Sequence, residues 1–87
     1  MPEISRFFGI IIHMYFSDHA PPHFHAKYQG EDVIIDIETG DVLRGRLPRK
    51  EMYFVQAWRE MHRDELMANW HIAVARSGEV KKIKPLS

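Results

Sequence analysis

Two short runs on either side of Gly30 place an apolar side chain at every second position. In 23–29 these are Phe24, Ala26 and Tyr28, set against His23, His25 and Lys27; in 33–38 they are Val33, Ile35 and Ile37, set against Ile34, Asp36 and Glu38. A period of two marks a strand with one buried and one wet face. A slip of one residue would turn every side chain over, so the two runs can pair only in registers that keep both apolar sets together. With Gly30-Glu31 as a two-residue hairpin loop, Gln29 meets Asp32, which sets His25 opposite Asp36 and His23 opposite Glu38.

The flanking sequence extends this sheet. Residues 7–16, FFGIIIHMYF, are β-branched and aromatic and too short for an ordinary helix. They read as a central strand whose even positions, Phe8, Ile10, Ile12, Met14 and Phe16, meet the core, with His13 and Tyr15 on the other face. Pro21-Pro22 then interrupts the ladder, because proline has no amide to donate. After a turn near Thr39-Gly40-Asp41, residues 42–46 form a further strand. With a three-residue loop Leu43 and Leu47 join the core, while Arg44 lies beside Asp36 and Arg46 follows it on the outer face.

Leu47-Pro48-Arg49 opens a helical segment, since proline suits the first helical turn. Met52, Val55, Trp58, His62, Leu66, Trp70 and Ala73 recur three or four apart, an amphipathic stripe reaching Arg76. Asp64-Glu65 resembles the acidic start of a helix, so the stripe fits either one long helix or two joined near His62-Arg63. Ser77-Gly78 ends it, and a basic tail follows with a short edge strand around 81–83. Strands followed by helix indicate an α+β fold: an antiparallel sheet of about four strands, near 7–16, 23–29, 33–38 and 42–46, covered on one face by the C-terminal helical segment. The 87 residues suffice for one core, so the expectation is a single domain over 1–87.

The zero net charge conceals an asymmetry, with two basic against seven acidic residues in 1–43 and ten basic against five acidic in 44–87. This reads either as mutual neutralisation across one fold or as a basic surface for phosphate or an acidic partner. The chain has no cysteine, which excludes a disulfide framework and cysteine-based metal or nucleophile chemistry. No basic leader with an apolar core and no membrane-length apolar run is visible, so the expected location is the cytoplasm.

Three of the six histidines fall in Asp18-His19-Ala20-Pro21-Pro22-His23-Phe24-His25. On the outer sheet face His23 and His25 would stand with Lys27, Asp36, Glu38, Arg44 and Arg46, joined by His13. A carboxylate opposite a histidine orients the ring and raises its pKa, and arginines suit bidentate phosphate contact. The candidate catalytic set is therefore His23, His25, Asp36 and Arg44, suited to metal-free acid–base attack on a phosphodiester. Candidate nucleic-acid contacts are Lys27, Arg44, Arg46 and Arg49, with Tyr53 and Phe54 following on the helix. A metal site built from His23, His25 and His19 with Asp18 or Glu38 is the second chemical reading. A merely solvated polar face explains the same pattern and stays open beside both. His62 occupies a core-facing position and reads as structural; His71 falls beside the stripe and should be exposed. No phosphate-binding glycine loop, nucleophile elbow or His-Glu-x-x-His motif is present.

Ile4-Ser5-Arg6-Phe7-Phe8-Gly9-Ile10, Pro-Pro-His-Phe-His-Ala at 21–26, Leu47-Pro48-Arg49 and the segment from Trp58 to His62 together resemble DUF4160, a family of small prokaryotic domains of unknown function. The resemblance spans essentially the whole chain. It implies a genetic neighbourhood shared with another small uncharacterised domain, DUF2442, in a toxin–antitoxin-type arrangement. The leading expectation is thus a cytoplasmic component of a two-gene module that acts through a protein partner of the DUF2442 type and through RNA. The alternatives are a metal-binding enzyme centred on His23 and His25, and a non-catalytic protein-interaction domain.

Overall fold

Left-handed backbone at two adjacent residues makes the first turn: Phe8 and Gly9 have φ of 51° and 79° in the computed structural model, which describes residues 2–16 and 19–86. Positive φ at both central positions is what a two-residue hairpin loop needs to match the twist of its strands. The run 7–16 is accordingly not one central strand. It is divided between β1 (Glu3–Phe7) and β2 (Ile10–His13), paired antiparallel with Phe7 opposite Ile10. Ile10, Ile12 and Met14 are fully buried as the pattern requires, but Phe8 at the turn and Phe16 beyond the strand are exposed.

The hairpin of β3 (His23–Tyr28) and β4 (Glu31–Asp36) differs from expectation by one residue at each side of its loop. Gln29 (φ 46°) and Gly30 (φ 85°) form the turn, so Tyr28, not Gln29, begins the pairing, opposite Glu31. His25 therefore faces Ile34, and His23 faces Asp36. The anticipated His25–Asp36 and His23–Glu38 pairings do not form. Both registers keep Phe24, Ala26, Val33 and Ile35 on one face, so the hydrophobic pattern is satisfied equally by either; the backbone preference at the loop decides between them.

Asp36 closes the next turn. Its Oδ1 accepts the amides of Glu38 at 2.8 Å and Thr39 at 3.0 Å, and its carbonyl accepts Gly40 N–H at 3.0 Å. The chain returns as β5 (Val42–Gly45), with Ile35 opposite Val42 and Ile34 opposite Arg44. A bulge at this step leaves Leu43 outside the ladder and 45% exposed, not in the core, while Leu47 is buried. Arg44 lies beside Ile34, not beside Asp36. The result is a five-stranded antiparallel meander in sequential order, one strand more than the pattern suggested.

The helical stripe breaks into α1 (Arg49–Met61) and α2 (Arg63–Ala75), joined at His62. His62 leaves helical geometry (φ −122°, ψ 23°) yet still donates its amide to the Trp58 carbonyl, and its own carbonyl accepts Leu66 N–H. Its ring packs on Trp58, with Nδ1 2.5 Å from Glu65 Oε1. The apolar stripe thus continues across the break: Val55, Trp58, Leu66, Trp70 and Ala73 are buried, and His71 is exposed. Trp58 sits against Phe7 and Phe24, which fixes α1 on the sheet face opposite His25. Among the described residues no helix is long and apolar enough to cross a membrane.

Polar ties lock the layers. Arg59 of α1, itself buried, donates Nη1 to the Ile37 carbonyl at 2.9 Å, and Gln56 donates to the Gly40 carbonyl at 2.8 Å. The tail runs along β1 without forming the expected strand: Ile83 N–H donates to the Ile4 carbonyl at 2.7 Å, and Asn69 exchanges two hydrogen bonds with the Lys81 backbone. At Gly45 (φ 78°) an added Cβ would collide with the Asp32 carbonyl oxygen. Gly45→Ala is expected to lower unfolding stability by about 2 kcal/mol or more, from strain plus collision with backbone. Urea denaturation checks this, and an unchanged midpoint would contradict the close approach of Gly45 to the Asp32 carbonyl.

Candidate functional site on the outer sheet face

The face of the sheet away from α1 carries a row of rings, reached by α2 only at its His23 end. His13 and His25 are directly paired residues of β2 and β3, and their imidazoles stack nearly parallel, 5.3 Å apart with 9° between planes. Tyr15 stands edge-on to both, 5.2 Å from His13 and 4.4 Å from His25, with its hydroxyl 3.3 Å from His13 Nε2. His23, two residues along β3, continues the row at 5.4 Å from His25. The alternation of strands places these groups together, since i and i+2 share a face and paired residues stand side by side.

Burial differs along the row. His25 is half-buried, whereas His13 and His23 keep only 6% and 7% of their surface. His23 does share the face of His25, but it is covered by Trp70 of α2, 5.1 Å away, and is not solvent-facing. Its Nδ1 donates to the Pro21 carbonyl at 2.7 Å, which fixes the ring. Burial pushes the His13 pKa below its ordinary value of 6.5, with Lys27 pushing the same way and Asp32 and Glu3 opposing.

Beyond the rings lies an open depression of about 300 Å³ lined by Tyr15, His25, Lys27, Asp32, Ile34 and Arg44. The pairing brings these residues together: His25 opposite Ile34, Ile34 opposite Arg44, and Lys27 opposite Asp32. Of the residues singled out from sequence, His25, Lys27 and Arg44 therefore meet in one place. Tyr15, Asp32 and Ile34 join them, and parity alone offered Tyr15, through its shared face with His13.

The other candidates are elsewhere. Asp36 cannot orient His25 in the expected way, because it faces His23 and its Oδ1 serves the turn amides. Arg46 reaches Glu31 at 3.6 Å, drawn there as its amide bonds the Asp32 carbonyl. Arg49 lies over the Tyr53 ring on α1. Among the described residues no three His, Asp or Glu side chains converge as metal ligands, so His19 and Glu38 do not complete a set with His23 and His25; Asp18 lies outside the described residues. Arg59 and Gln56, which no sequence pattern marks as functional, anchor the 37–40 backbone.

The lining combines two cations, Lys27 and Arg44, with one carboxylate, Asp32, and the Tyr15 and His25 rings, groups of the kind that suit a phosphate beside a planar group. Because the folded His13 resists protonation, the unfolded chain binds more protons just below pH 6.5 than the folded one. Stability is therefore expected to hold above that pH and to fall as pH drops through it toward the folded-state value. His13→Gln should flatten that acid limb in urea titrations across pH; an unaltered slope would place the proton uptake elsewhere.

A comparison with models of protein families matches residues 9–71 to the one described as domain of unknown function (DUF4160). No curated protein and no solved structure matches the chain. The matched segment contains every residue lining the outer-face depression.

Proposed function

The chain belongs to the DUF4160 family, and we propose that it is a cytoplasmic component of a toxin–antitoxin-type two-gene module, engaging single-stranded RNA on its outer sheet face and a protein partner of the DUF2442 type. The observation that carries the RNA reading is the meeting of Lys27 and Arg44 with the Tyr15 and His25 rings around one open depression. Cations track the phosphate backbone and rings stack on unpaired bases, a combination that serves single strands without requiring a base-specific pattern. An antiparallel sheet face that is open around Lys27 and Arg44 is a suitable platform, since its side chains are held by the ladder instead of by a mobile loop. The absence of cysteine fits a reducing compartment.

The contributions divide by chemistry. Lys27 supplies a point charge, and Arg44 a planar fork able to contact two phosphate oxygens. Asp32, opposite Lys27, tempers the local charge and disfavours contact with phosphate on its own side. Ile34 forms an apolar floor between His25 and Arg44.

Lys27→Ala with Arg44→Ala is the test, read by fluorescence anisotropy with labelled oligouridine and oligoadenosine across a salt series. The double variant should bind more weakly, and its salt dependence should flatten by about 0.7 in logarithmic slope for each phosphate it no longer neutralises. Both residues are exposed, so stability should move by no more than about 0.5 kcal/mol per site. Unchanged affinity and slope in a folded double variant, or no RNA binding by the wild type at low salt, would refute the RNA reading.

A further inference from the structure

The two edges of the sheet are finished differently. At β1 the C-terminal tail lies alongside, with Ile83 bonded to the Ile4 carbonyl and buried. At β5, which ends the strand order, all four residues are exposed. Val42 and Leu43 leave 47% and 45% of their surface open, an unusual pair of large apolar residues for a bare edge strand. Edge strands offer a row of backbone donors and acceptors to another chain; β5 is short and bulged at Leu43, but its four residues include no lysine or proline and all four are exposed.

Charge indicates what pairs there. Arg44 forms no ion pair among the described residues; Arg46, which reaches Glu31, Arg49, which lies over Tyr53, and Lys50, 4.0 Å from Glu51, continue the basic run after it. A second copy of the chain would bring this run against its own like, which disfavours self-pairing. The faces differ as well: Val42 pairs with core-facing Ile35, and Arg44 with outer-face Ile34. An added strand would therefore put apolar side chains on the helix side and acidic ones on the outer side, alternating along its length.

We infer that the open edge of β5 is a docking site for an extended segment of a protein partner in which acidic and apolar residues alternate, added to the sheet as a sixth strand. The inference rests on the protein-partner part of the proposed function and is independent of RNA binding. The partner's acidic side chains would lie next to Arg44, at the rim of the outer-face depression.

The probes are a short labelled peptide alternating Val and Glu and its counterpart alternating Val and Lys, titrated into the full chain without RNA. The acidic peptide should bind saturably and the basic one severalfold more weakly. Bound peptide should slow amide exchange within 42–45, and Arg44→Glu should reverse the preference while Lys27→Ala leaves it in place. Absence of acidic-peptide binding, equal binding of both peptides, protection confined to other strands, or protection at 42–45 in a self-associated chain without peptide would each overturn the inference. Failure of the peptide to bind alongside intact oligouridine binding removes this edge and leaves the RNA reading standing; the converse result does the opposite.

Discussion

The Trp58 side chain is the contact on which the layers depend. Fully buried, it touches Phe7 of β1, Phe24 of β3 and His62 at the helix junction, and its indole Nε1–H donates to the Lys84 carbonyl at 2.9 Å. One residue thereby joins the first hairpin, the central strand, the break between helices and the returning tail. An indole is suited to this because it supplies a large apolar surface and one donor that must find an acceptor when buried. The neighbouring Arg59 does the corresponding polar work, satisfying the Ile37 carbonyl where the β4–β5 connection passes beneath α1.

With α1 held to one side, the other side is left to polar groups and rings, with Trp70 of α2 reaching only its His23 end. The histidine row is a consequence of strand geometry: His13 and His25 are neighbours across a ladder, and His23 is two residues along the same strand. What the row does chemically depends on the depth of each member. Trp70 and the Pro21 carbonyl enclose His23, burial suppresses protonation of His13, and His25 reaches the open depression with Lys27 and Arg44. A surface that combines ring faces and cations in this way favours binding over acid–base catalysis by a His–carboxylate pair, since the carboxylate expected for that pair, Asp36, caps a turn.

The same asymmetry shapes the sheet edges. The tail lies along β1, whereas the four residues of β5 are exposed, and Arg44 belongs to both that edge and the outer-face depression. Under the two proposals, an acidic strand docked at the edge would neutralise the cation assigned to RNA, so that protein and RNA would compete at that corner.

Alternation in 23–29 and 33–38 determined that His23, His25 and Lys27 share a face, and the Met52-to-Ala73 stripe determined which helix residues meet the core, because both are periodicities of the backbone itself. The family resemblance was equally legible in the motifs at 21–26 and 47–49. Tertiary structure alone decided the register, since shifts by two residues keep the apolar sets on one face and only the left-handed turn at Gln29-Gly30 selects one of them. That choice moved Asp36 away from His25 and set Ile34 there in its place. The division of 7–16 at Phe8-Gly9 was likewise hidden, because phenylalanine is not a residue that announces positive φ. The cover of His23 by Trp70 joins residues 47 apart in the chain, and no local pattern encodes a contact that exists only once helix and sheet are packed.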